Sequence, residues 1–208
     1  ALGKLMDKSA APYLIKALAD SNEWVRMAAA EALWKLMDKS RVPDLIKTLT
    51  DSDHGMRWAA AEALGKLGDK SAVPHLIKAL DDSYIDVRCA AAEALGKLMD
   101  KSAAPYLIKA LADLEPLGYG RAAAEALGKL GDKSAVPQLI KALADSNELV
   151  RQAAAEALGT LGDESAVPHL IKALDDAYSD VRQAAAEALE KLGMRPDRRK
   201  LHLYGEVW

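Results

Sequence analysis

One segment recurs along the 208 residues of this chain. Starting at Asp7, Asp38, Asp69, Asp100, Asp132 and Asp163, the pattern D-K-S-A-V-P-x-L-I-K-A-L-x-D-S-x-x-x-V-R-x-A-A-A-E-A-L-G-K-L-G repeats at spacings of 31, 31, 31, 32 and 31 residues. A fixed period of this size marks stacked supersecondary units, because one short unit cannot bury its own apolar face and its neighbour must cover it. Six full units follow a partial one over 1–6, so residues 1–193 are expected to form one repeat array, with 194–208 as a non-repeating tail or cap.

Each unit reads as two helices. In the first unit the spacing predicts a helix from about Ser9 to Ala19, with Ser9 as cap and Pro12 in the first turn, where a missing N–H costs little. A second helix is expected from about Asn22 to Leu36, capped by Asp20 or Ser21, with Glu23 placed to complete a capping box. Gly68, Gly131 and Gly162 stand just past the second helix, where a left-handed residue ends it. Val25, Ala28, Ala29, Ala32, Leu33 and Leu36 share one face at helical spacing, and the alanines let neighbouring helices approach closely. Alanine and leucine dominate the apolar half of the chain and phenylalanine is absent, so the fold class is all-α.

The run V-P-x-L-I-K-A-L, then Asp, then V-R-x-A-A-A-x-A-L-G-x-L-G resembles HEAT-like repeats of the short phycobilisome-lyase type, which are also idealised in artificial alphaRep scaffolds. The resemblance spans residues 1–193 and implies a right-handed α-solenoid of about six and a half two-helix repeats. It also implies a ladder between units, built from the aspartate ending the first helix and the arginine opening the second: Asp20 with Arg26, Asp51 with Arg57, Asp82 with Arg88, Asp145 with Arg151 and Asp176 with Arg182. Above this repeat lies a three-unit duplication, since residues 1–20 are identical to 94–113 and 71–82 to 165–176. That duplication admits a designed repeat-protein binder, whereas unequal copies and the aperiodic tail point to a natural chain.

Shared residues maintain a stack, so candidate functional residues are those where copies disagree. Met27 is replaced in later units by Trp58, Cys89, Arg121, Gln152 and Gln183, and Trp34 by Gly65, Gly96, Gly128, Gly159 and Glu190. On a helical wheel both columns fall opposite the apolar face, with Trp24 at its margin. Second helices line the concave surface in HEAT-like solenoids, so the resemblance implies a groove holding Trp34, Met27 and Trp58, with Trp24 and Cys89 near its edges. A glutamate column (Glu31, Glu62, Glu93, Glu125, Glu156, Glu187) runs beside them, and Arg121 enters the variable column in the fourth unit. Aromatic anchors in an acidic groove suit a basic or amphipathic peptide or protein. The structural alternatives are ion pairs from the glutamates to Lys35, Lys66, Lys97, Lys129 and Lys191 four residues on, Trp24 as peripheral core, and Trp34 as cover for the incomplete first unit.

The fourth unit departs from the pattern over Asp113–Arg121, where Tyr119 and Gly120 replace the usual Val-Arg pair and Pro116 with two glycines is expected to delay the second helix or form a protruding loop. The tail reads as a cap on the last unit or as a self-association segment. A net charge of −3 argues against a general nucleic-acid binder. Nothing suggests a membrane span or a metal. None of His54, His75, His169 and His202 precedes a glutamate, so the His-Glu pairs of HEAT-repeat deoxyhypusine hydroxylases are missing. The glycines of ALGKLG lack phosphate-loop context, so no cofactor is expected. The single Cys89 fits a reducing, cytoplasmic setting. The expected function is a non-catalytic protein-binding scaffold; fold analogy supplies the alternative, a phycobilin lyase-like chromophore-handling protein.

Overall fold

A computed structural model describes residues 10–17, 20–22, 24–26, 28, 29, 32, 39–112 and 119–194, and every regular element among them is helical. The chain forms two compact units, Ala1–Asp100 and Lys101–Trp208. In the first, short helices Ala11–Ala17, Val42–Thr48 and Val73–Ala79 accompany longer ones, His54–Leu67 and Ile85–Leu98. In the second, Ala104–Ala112, Val136–Ala142 and Val167–Ala173 alternate with Tyr119–Leu130, Glu148–Leu161 and Ser179–Lys191.

The expected caps lie elsewhere. Ser9 lies outside the described residues; in the third, fifth and sixth repeats the opening aspartate, and not the serine two residues later, closes the entry to the first helix: Asp69, Asp132 and Asp163 accept from the amides of Ser71, Ser134 and Ser165 at 3.0, 2.9 and 3.0 Å. Prolines then occupy the first turn, as expected. In the first unit Asn22 receives the Trp24 amide at 2.9 Å, and Asn147 and Asp53 cap their helices likewise. Asp20 instead folds the turn before the helix by accepting from the Asn22 amide. Glu23 lies outside the described residues.

Helix ends follow the sequence closely. Gly68, Gly131 and Gly162 have φ of 68°, 67° and 64°. At the equivalent position Met99 holds φ 51° with its side chain 62% exposed. A Cβ is unfavourable in that region and the side chain packs little, so Met99→Gly is expected to raise stability by about 1 kcal/mol. Thermal denaturation followed by circular dichroism measures it.

Each unit has a leucine core. In the first, Leu45 and Leu76 from short helices and Leu64 and Leu95 from long ones are fully buried; in the second, Leu107, Leu139 and Leu170 and then Leu127, Leu158 and Leu189 are, all flanked by the alanine triplets. The glycine column expected to face outward is packed instead. Gly65, Gly96, Gly128 and Gly159 are buried. A Cβ on Gly65 or Gly159 would stand 2.7 Å from Cα of Ala94 or Ala188, and one on Gly128 3.0 Å from Cα of Ala157. This column is where successive second helices touch backbone to side chain. Trp34, its occupant in the first repeat, lies outside the described residues.

The ladder connects consecutive repeats through carboxylates. Arg57 donates Nε and Nη2 to Asp82 at 2.6 and 2.9 Å while its Nη1 reaches the Asp51 carbonyl of its own repeat at 2.8 Å. Arg151 repeats this on Asp176 at 2.8 and 2.9 Å and on the Asp145 carbonyl at 2.8 Å. So the arginine binds the backbone of the aspartate in its own repeat and the side chain of the next. At the fourth repeat buried Tyr119 replaces valine, and Gly120 offers Asp145 no guanidinium. The expected loop at 114–118, and the tail over 195–208 with its proposed docking, lie outside the described residues.

Candidate functional site

Close approach at Gly65 brings the His54–Leu67 and Ile85–Leu98 helices together, and their variable positions then share one wall. Trp58, Glu62 and Cys89 line a cleft of about 380 Å³, joined by Asp86 and Glu93 and by two cations, Arg26 and Lys97. Trp58 and Cys89 are half-buried. Burial, then the Glu93 and Asp86 carboxylates, push the Cys89 thiol above its ordinary value, so the sulfur is a neutral wall atom and a poor nucleophile.

Arg26 enters the cleft because Gly55 has no side chain: a Cβ there would meet Arg26 Nε at 2.7 Å. Its Nη1 binds the Asp20 and Ser21 carbonyls at 2.9 and 3.2 Å, but Nε is buried without a partner and takes no carboxylate. The sequence assigned Arg26 to a regular rung; Gly55, standing where other repeats carry Trp24, Asp86, Leu149 or Asp180, was the signal of an exception. His54 also lines the cleft and stacks on Tyr84, with centroids 4.1 Å apart and planes 7° from parallel. Arg57 lies 5.6 Å from the same tyrosine ring.

The remaining predicted residues separate. Trp24 is 77% exposed, outside both the core and the cleft lining. Arg121 belongs to the second unit and pairs with Glu125 at 2.7 Å. Met27, Glu31 and Trp34 lie outside the described residues. Among the described glutamates, pairing to the lysine four residues on forms at Glu62–Lys66, 2.6 Å. No group of His, Cys, Asp and Glu able to hold a metal occurs among the described residues. No helix among them is long and apolar enough to cross a membrane.

Short and long helices in alternation, packed through repeated leucine columns and arginine–aspartate rungs, define an α-solenoid repeat protein. The chain belongs to the HEAT-repeat family, whose profile matches residues 1–57, 42–117 and 119–190. Comparison with curated proteins gives no significant match. Among solved structures it is similar to the complex of CpcE and CpcF of phycocyanin lyase from Nostoc sp. PCC7120, at 33% identity and TM-score 0.65 over 88% of this chain and 77% of that one. An engineered protein is similar at 23% identity and TM-score 0.64, over 90% of this chain and 99% of that one. A designed armadillo repeat protein in complex with the peptide (KR)4 is similar at 21% and 0.58, over 87% and 98%. The last two share the fold.

Proposed function

We propose that the protein is a non-catalytic scaffold that binds a protein or peptide through the second-helix face around Trp58. The observation that supports it is a half-buried indole in a cleft between consecutive repeats, at a column where other repeats place Arg121, Gln152 and Gln183. A large amphipathic ring on a rigid, partly desolvated wall is a favoured anchor, because repeat stacking lowers the ordering cost of binding. Glu62 and Cys89 form the adjoining wall. Trp24, Met27, Glu31 and Trp34 are assigned to the same surface from their helical positions, and Arg121 to the equivalent face of the second unit. The partner would be basic or amphipathic.

Peptides selected from a random dodecapeptide library on the whole chain supply the ligand. Trp58→Ala is expected to weaken the selected peptides by about 1 kcal/mol or more with an unchanged helical spectrum. Equal affinity overturns the assignment. A second reading, chromophore handling, is favoured by the 33% identity to the phycocyanin lyase complex. It requires that added linear tetrapyrrole change its visible absorbance on mixing with the protein; an unchanged spectrum rejects it.

A further inference from the structure

Each described glutamate of the column in the second unit is held by the residue four positions before it. Arg121 binds Glu125 at 2.7 Å, Gln152 binds Glu156 at 2.9 Å and Gln183 binds Glu187 at 2.9 Å. In the first unit the donor position holds Trp58 and Cys89, and neither reaches its glutamate. Glu62 takes Lys66 instead. Glu93 takes nothing. Its counterpart lysine, Lys97, makes no ion pair with it, and the Lys97 stem runs beside the Gly65 notch, where a Cβ would stand 3.6 Å from Lys97 Cδ. Glu93 is thus left exposed, with no hydrogen-bond or ion-pair partner of its own among the described residues, in the same cleft as the Trp58 indole.

We propose that Glu93 and Trp58 form a subsite for one lysine or arginine side chain of the partner, and that residue 89 decides whether this subsite is open. The inference rests on the scaffold reading and names the chemistry of its partner. An occupant that covers the cleft removes water from Glu93, and a neutral group leaves that charge uncompensated. A cation compensates it and also gains from the face of the indole. Asp86 adds to the negative wall, Arg26 and Lys97 oppose it, and Glu62 is already matched by Lys66. An acidic occupant would meet Glu93 directly. At position 89 a glutamine would donate to Glu93 as Gln152 does to Glu156, closing the subsite from within; a cysteine leaves it open.

The chain supplies its own test, because glutamine stands natively at this column in two repeats. Cys89→Gln preserves net charge, so non-specific attraction to an acidic protein stays constant, and an unchanged helical spectrum is expected. The probes are a fluorescein-labelled octapeptide of alternating lysine and arginine, its glutamine-serine counterpart, and the library peptides. The basic probe is expected to bind the parent chain, to weaken about tenfold with Cys89→Gln or Glu93→Gln, and to remain unchanged with Cys89→Ser, whose side chain is too short to reach Glu93. Unchanged binding of the basic probe by Cys89→Gln overturns the subsite and leaves the scaffold standing, as do Trp58-dependent library peptides without lysine or arginine. Failure of every peptide to bind in a Trp58-dependent way overturns both.

Discussion

Gly159→Leu is expected to destabilise the C-terminal repeats by about 3 kcal/mol, the upper part of the range for overpacking a close contact. A Cβ at Gly159 stands 2.7 Å from Cα and 2.8 Å from Cβ of Ala188, and these atoms cannot swing aside as a side-chain tip would. The Glu148–Leu161 and Ser179–Lys191 helices must separate, opening the packing around Leu158 and Leu189. Helix propensity alone predicts the opposite sign, since glycine within a helix costs about 1 kcal/mol relative to alanine. Urea unfolding followed by circular dichroism decides between them. An unchanged or raised midpoint would show that the helices do not meet at Gly159. A lowered midpoint, or an early phase from the last repeats, is the expected result, because repeat arrays lose stability interface by interface.

Arg151→Leu is expected to cost about 3 kcal/mol, at the low end for removing one partner of a buried pair. Arg151 and Asp176 are each 12% exposed and joined by two hydrogen bonds, so the substitution leaves a desolvated carboxylate behind. The double change Arg151→Leu with Asp176→Leu removes that charge and should recover much of the loss. The pH dependence follows from the same pair. The Arg151 hydrogen bonds hold the Asp176 carboxyl below its ordinary value despite burial, aided by the Tyr178 amide. Because the unfolded chain binds that proton more readily, the stabilisation is complete above the unfolded carboxyl value of about 4 and is lost as pH falls through the lower folded one. At Asp82 burial pushes the carboxyl up, but Arg57 and the Tyr84 amide outweigh it, so this rung adds to the same acid loss. Urea midpoints between pH 7 and pH 3 should therefore fall more steeply for the parent chain than for the double variant; parallel profiles would remove the rung from the acid response.

The wheel of one second helix puts the Gly65 column opposite the apolar face, as though a helix had one packed side. An internal repeat helix is packed by its own hairpin partner and by the second helices before and after it, so a position away from the leucine face is still an interface. Glycine repeated there is the signal of a close helix contact. The ladder aspartates were paired with arginines of the same repeat, but a side chain six residues away reaches only the backbone carbonyl; the carboxylate it meets is 25 residues on. The cap expected on Asp20 or Ser21 falls on Asn22, because Asp20 serves the turn before the helix.

What the sequence determined by itself is whatever depends on neighbours along the chain: the repeat of about 31 residues, two helices per repeat, proline entries, glycine exits and the leucine columns. These recur because each is a local preference written repeat after repeat, the glycine exit at Gly68, Gly131, Gly162 and Gly193 with methionine in the other two repeats. Tertiary structure decided which side chains face one another between repeats. Arg26, Trp58 and Glu93 meet at one cleft although each is more than 30 residues from the next. Glu93 lacks a bonded partner where Cys89 offers it none and the Lys97 stem runs beside the Gly65 notch. No periodicity within a single helix carries that information, since the distance between two stacked helices is set by the smallest residues at their contact.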